Sequence, residues 1–217
     1  MQKLTKSKLP MIMEPPEKVR LMYEAVIAFI VERNDVNSLK VADITGRAGI
    51  GKGTAYEYFS TREEIITSAL MHEFYKRVVQ FEARVKELRG FQSKMSALLD
   101  WVLENCDFYM MFIRLFQICS GSGDICSGLE GQLSTEIRDM IRAYTVGGID
   151  GVIIEGQQEG ILKSKSMEKC RLAFIAMVVE YAIICSHGGP MDGLFTMDAS
   201  EARQFVYNGM VRALAEG

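Results

Sequence analysis

Residues 41 to 64 carry the pattern that most restricts how this chain can fold. Val41, Ile44 and Ala48 recur at three and four, which places them on one face of a short helix. Gly49 follows, where a helix ends easily because glycine accepts positive φ at little steric cost. Ile50 supplies an apolar plug, and a second short helix starting near Gly51 would bury Ala55 and Phe59, again four apart. Its other side carries Lys52, Thr54, Tyr56 and Tyr58: a cation, a hydroxyl and two phenols. Ser60 with Glu63 three residues on reads as a capping box, so a further helix should begin at Thr61.

Two short helices joined by a tight turn, the second basic and aromatic, have the layout of a helix-turn-helix. Lysine, threonine and tyrosine suit phosphate oxygens and base edges, and amides at a helix start add donors toward a phosphate. Lys40, Arg47 and Arg62 are further cations around the window, and Gly51 and Gly53 stand at the start of the second helix as part of the same DNA-binding set. A rival reading is a phosphate-binding P-loop, since Gly46 to Thr54 nearly matches Gly-x-x-x-x-Gly-Lys-Ser/Thr, which would make Lys52 part of a nucleotide-binding enzyme. Gly53 occupies the hydroxyl position, however, and the residues before Gly46 have helical rather than strand spacing. A plain helical hairpin leaves the two glycines and two tyrosines without a reason.

Ile44, Ala48-Gly49-Ile50, Lys52-Gly53-Thr54, Tyr56, Tyr58-Phe59 and Arg62-Glu63-Glu64 resemble the tetracycline-repressor (TetR) family of bacterial transcription regulators. The specific match covers about residues 17 to 70. The resemblance implies an all-α homodimer, with a helix-turn-helix DNA-binding domain at residues 1–60 and a helical ligand-binding and dimerisation domain at 61–217. It implies a repressor that binds a palindromic operator and is released by a small-molecule inducer, with no catalysis. By analogy Lys52, Thr54 and Tyr56 face the groove, and Tyr58, Lys40 and Arg62 contact phosphates. The chain departs from the family at Lys40, usually a hydroxyl cap, and at Gly51, usually serine.

Net charge is −3, which excludes a strongly basic surface. Residues 1–60 hold nine Lys+Arg against seven Asp+Glu, leaving 16 against 21 in the remainder, so the positive balance lies on the DNA-binding side. The start lacks the apolar stretch of a signal peptide, and the longest apolar run, Leu172 to Cys185, contains Glu180 and is too short for a bilayer. Five cysteines without a tight framework fit reduced thiols in a cytoplasm. Cys119 and Cys126, beside a glycine-rich stretch, are the candidates for a thiol sensor. No metal site or cofactor is expected, because His72 and His187 lack ligand partners at helical spacing.

Along the chain, residues 1–14 read as a loose tail, and Pro15-Pro16-Glu17 starts a helix that ends near Asn34. Helices follow from Thr61 toward Leu88 and from about Ser93 to Ile118. Ile137 to Tyr144 opens another, which Gly147, Gly148, Gly151 and Gly156 either break or bring close to a neighbour. The last two helices span about 167–187 and 199–215. The first is apolar round nearly its whole circumference and must be covered on both sides. Phe174 and Val178 from it, with Ala202, Phe205, Val206, Gly209, Met210 and Ala213 from the second, suit a four-helix dimer interface, the other reading being closure of one chain's core. Trp101, Phe108, Met111, Phe112, Phe116, Tyr144, Met177 and Tyr181 are candidates for an effector pocket, against ordinary core packing. Glu180 in an apolar helix is costly if buried without a partner, so it should meet a cationic ligand, an arginine or solvent at the bundle surface.

Overall fold

The computed structural model describes residues 12–33, 36, 38–106, 148–186 and 193–215. Those residues are helical or irregular, with no strand among them. They fall into two compact units: the first runs to Val79, and the second takes up Gln80 onward.

In the first unit, α1 (Glu17–Arg33), α2 (Val41–Arg47), α3 (Lys52–Tyr58) and α4 (Arg62–Val85) follow one another. Pro16 stands just outside α1 and its carbonyl accepts from the Arg20 amide at 2.9 Å. The α1 stripe Val19, Met22, Tyr23, Val26, Phe29 and Ile30 is buried, with Ile65, Ile66, Ala69 and Leu70 of α4 in the same unit's interior. This unit therefore extends past residue 60, because the first turns of α4 bury their apolar residues in it. The expected loose tail stops short of Ile12, which is fully buried, and whose carbonyl accepts from Nδ1 of His72 at 2.5 Å. Residues 1–11 lie outside the described residues.

Tyr23 is the hub of this unit. Its ring lies 6.1 Å from Phe59, just past α3, and 5.3 Å from His72 on α4. Burial pushes its phenol well above the ordinary value, although a hydrogen bond with Ser68 offsets part of the effect.

The capping box at the start of α4 lies one residue later than the sequence pattern indicates. Thr61 Oγ1 accepts from the Glu64 amide at 3.1 Å, and Glu64 Oε2 accepts from the Ser60 amide at 2.7 Å. Both registers satisfy the Ser/Thr-x-x-Glu pattern. Packing chooses between them, since Glu64 is turned inward and Glu63 pairs with Arg62.

The second unit contains the end of α4, α5 (Phe91–Glu104), α6 (residues 148–158), α7 (Met167–Cys185) and α8 (Ala199–Ala213). Gly90 ends the approach to α5 at φ +87° and offers no capping side chain. Two carboxylates of α6 and its following turn replace it. Glu155 accepts from the Gly90 amide at 2.9 Å and Glu159 from the Phe91 amide at 3.1 Å. The orphan donors of a helix start are thereby satisfied from 65 and 68 residues away. Hydrogen bonds from Lys94 and Gly90 hold the Glu155 carboxyl below its usual range.

The α6 helix continues through Gly151 and Gly156 without a break, and close approach accounts for Gly156 but not for Gly151, which has no atom within 4 Å of where a Cβ would stand. A Cβ at Gly156 would lie 2.6 Å from the Phe91 ring and 3.0 Å from Leu162. The α7 and α8 helices pack on each other and on the inner face of α5, around Met95, Leu99, Val102, Cys170, Met177, Tyr181 and Val206. Asp198 caps α8, accepting from the amides of Ser200 and Glu201 at 2.8 and 2.9 Å.

Candidate nucleic-acid interface

The turn between α2 and α3 is a closed glycine-terminated helix end. The Gly49 amide donates to the Gly46 carbonyl at 3.3 Å, and the Ile50 amide donates to the Thr45 carbonyl at 3.0 Å. Gly49 sits at φ +68°, in the left-handed region that makes this pair of bonds possible. At the other end of α2, Asp43 accepts from the Lys40 amide at 2.9 Å. Lysine has no acceptor to return the bond, so the cap is one-sided and the ammonium of exposed Lys40 takes no part in it.

The α3 helix buries Ala55 completely and is followed by buried Phe59. Its remaining surface is open. Lys52, Gly53, Tyr56 and Glu57 are exposed, and Thr54 and Tyr58 are half-buried. Tyr56 leaves 57% of its area in solvent, which is unusual for a large aromatic in a seven-residue helix. Gly51 and Gly53 have no neighbouring atom within 4 Å of where a Cβ would stand, and neither has positive φ. Nothing inside the unit therefore requires glycine at either position.

Two of the cations expected at the DNA have partners within the unit. Arg47 does not stand free beside the turn: its guanidinium forks onto Glu32 of α1, at 2.6 and 2.7 Å. Arg62 is three-quarters buried and bonds Glu63 and the Leu39 carbonyl. Glu32 and Leu39 come from segments distant in the chain, which local pattern cannot reveal, whereas Glu63 is the neighbour of Arg62. The P-loop reading also fails. Gly46 lies inside α2 and Lys52 opens α3, so no strand leads into the glycines.

In the second unit Trp101, Met177 and Tyr181 lie in the core. The Trp101 ring lies 5.1 Å from that of Phe81, tilted by 41°, and burial pushes the Tyr181 phenol up to about 12. Phe108, Met111, Phe112, Phe116 and Tyr144 lie outside the described residues, as do Cys119, Cys126 and His187. Glu180 is exposed, so it meets solvent and the cost of burial without a partner does not arise. Cys106, Cys170 and Cys185 are buried and outside any disulfide, and burial raises the Cys185 thiol, which favours its protonated form.

The outward face of α7 and α8 also differs from expectation. Phe174, Ala202, Val206 and Met210 turn into the chain's own core. Val178 is half-buried, and Gly209 and Ala213 are exposed. The large apolar residues left in solvent are Leu172 at 70%, Phe205 at 56% and Ile175 at 49%. The sequence carried a signal for them. Cys170, Phe174, Met177 and Tyr181 form one inner stripe, which leaves Leu172, Ile175, Ala176 and Val179 on the other side of the same helix. Among the described residues, no helix is long and apolar enough to cross a membrane.

No protein-family model matches the chain. A fatty acid metabolism regulator protein from Bacillus subtilis strain 168 is 24% identical over 148 residues, 67% of this chain and 71% of that one. A TetR transcription regulator from Haloarcula marismortui superposes with a TM-score of 0.62 at 15% identity, covering 91% of this chain and 98% of the other. The transcriptional regulator FadR from Bacillus subtilis, solved with stearoyl-CoA, gives 0.53 at 20% identity over 91% and 98%.

Proposed function

We propose that this chain, whose all-helical fold is that of the TetR-family transcriptional regulators, is a DNA-binding transcription regulator that acts as a homodimer on a palindromic operator. One observation carries the reading. The open side of α3 offers Lys52, Thr54 and Tyr56 beside two glycines that the fold itself does not need. Glycine inside a helix costs about 1 kcal/mol against alanine. Gly53 persists there because an outside partner must approach the backbone closely, and a phosphate-lined groove is such a partner. Lys52 and Lys40 supply the cations, and Tyr56 and Tyr58 the phenolic contacts. Arg47 and Arg62 are not among the DNA ligands.

The second unit receives a small-molecule effector, and its binding releases the operator. Fatty acyl-CoA is the first class to test, because the B. subtilis relative is a regulator of fatty acid metabolism and FadR was solved with stearoyl-CoA. Leu172, Ile175 and Phe205 supply the dimer face. Two reading heads then meet half-sites about 34–36 Å apart, or a multiple of that distance.

Retention of duplexes selected from a random pool, followed against salt, tests the reading. Lys52→Ala weakens binding to all sequences alike and lowers the salt slope by about 1 for each bound protomer. Gly53→Ala stabilises the fold by about 0.5–1 kcal/mol and yet weakens operator retention. A Gly53→Ala protein that is both more stable and an equal or better DNA binder would sink the close-approach argument. A wild-type chain that retains no duplex at low ionic strength would sink the function.

A further inference from the structure

Arg62 opens α4, and its surroundings give it a role other than contact with DNA. We propose that Arg62, held by Glu63, is a positioning residue that fixes the helix-turn-helix on the first turn of α4. This rests on the DNA-binding reading above and assigns a task within that same site.

The geometry is specific. Nη1 of Arg62 donates to the Leu39 carbonyl at 3.2 Å, across 23 residues of chain. Nε and Nη2 both reach Oε1 of Glu63 at 2.8 Å, which fixes the plane of the guanidinium. The two side chains are only 26% and 28% exposed. Leu39 is itself buried, and its amide donates to the Val36 carbonyl at 3.3 Å. The next residue, Lys40, accepts from the amides of Asp43 and Ile44 at 3.0 and 3.2 Å and so begins α2. Arg62 therefore holds the peptide on which the first turn of α2 is built.

The same turn of α4 grips the other end of the motif. Glu64 accepts from the Ser60 amide at 2.7 Å, two residues past the end of α3. The entry to α2 and the exit from α3 are thus both bonded to residues 62–64. Arg62 is also poorly suited to a phosphate. A second anion at its guanidinium would stand beside the Glu63 carboxylate, and like charges at that range repel. Arginine rather than lysine suits the role, since the rigid fork can serve a carboxylate and a carbonyl together.

The test uses the full chain with Arg62→Lys, Arg62→Gln and Glu63→Gln, read by amide exchange and by operator retention against salt. In all three variants the amides of Asp43 and Ile44 exchange faster, by about tenfold for loss of one charge-assisted hydrogen bond in Arg62→Gln. Operator binding weakens in each while the salt slope stays at the wild-type value, because no phosphate contact has been removed. Arg62→Lys is the mild variant that keeps the charge and loses the fork. Unchanged exchange at Asp43 and Ile44 overturns the proposal. So does Glu63→Gln binding the operator more tightly, which is what release of a phosphate-seeking arginine would produce. If the wild-type chain bound no duplex, the exchange data would still decide the strut while the DNA reading fell separately.

Discussion

Leu172→Glu combined with Phe205→Glu turns the protein into monomers and weakens operator retention by at least about a hundredfold, since linked modules gain that much from joint engagement. In the isolated chain Leu172 leaves 70% of its area in solvent, Phe205 56% and Ile175 49%, all on α7 and α8. Large apolar side chains grouped on a pair of packed helices mark a surface built for a partner. The mutual packing of α7 and α8, with Cys170, Phe174, Met177, Val206 and Met210 inward, gives that surface a rigid backing. A glutamate placed in such a face must give up its hydration without a matching cation, which is a strongly unfavourable exchange. The core residues are untouched, so each chain still folds. Sedimentation should report the monomer and circular dichroism an unchanged helix content. A double variant that remains dimeric would remove α7 and α8 from the interface.

Gly156→Ala lowers the stability of the second unit by about 1–3 kcal/mol, the usual range for overpacking a close-packed site. The sign opposes helix propensity, which favours alanine over glycine by about 1 kcal/mol. The methyl would arrive 2.6 Å from Cδ2 of Phe91 and 3.0 Å from Leu162, inside van der Waals contact with both. Phe91 cannot retreat, because it is fully buried and its own amide is held by Glu159. Urea unfolding of the single variants and of Gly156→Ala with Phe91→Leu would isolate the clash. The pair should be less destabilised than the sum of the two single changes. Strict additivity would mean that the ring is not the obstacle. The contrast with Gly53 is informative, since the same substitution in a helix is expected to stabilise at one position and destabilise at the other.

The elements themselves were largely legible in the sequence. Helix α1 was expected from Glu17 to about Asn34 and spans Glu17–Arg33. The last two helices, expected at about 167–187 and 199–215, span Met167–Cys185 and Ala199–Ala213. Gly49 was expected at a helix end and sits there at positive φ. These features follow from backbone sterics and from apolar periodicity, both of which act within a few residues. The capping box was placed one residue early, because Glu63 and Glu64 both satisfy a local pattern and only burial separates them.

Interactions between distant segments were not legible. Arg47 finds Glu32 across 15 residues and Arg62 finds Leu39 across 23, so two cations that read as part of the DNA-binding set have partners within the unit. The cap of α5 comes from Glu155 and Glu159, and no motif near Gly90 announces it. On α7 the spacing separates the Phe174 stripe from the Leu172 stripe, but both are apolar and the sequence does not say which is inward. The packing of α8 decided that Phe174 faces inward and Leu172 outward. Sequence thus determined where helices begin and end and which short segment carries a cation, a hydroxyl and two phenols, because those depend on neighbours along the chain. Tertiary structure alone decided which charges are already paired and which apolar stripe is left uncovered, because those depend on what the fold brings together from far apart.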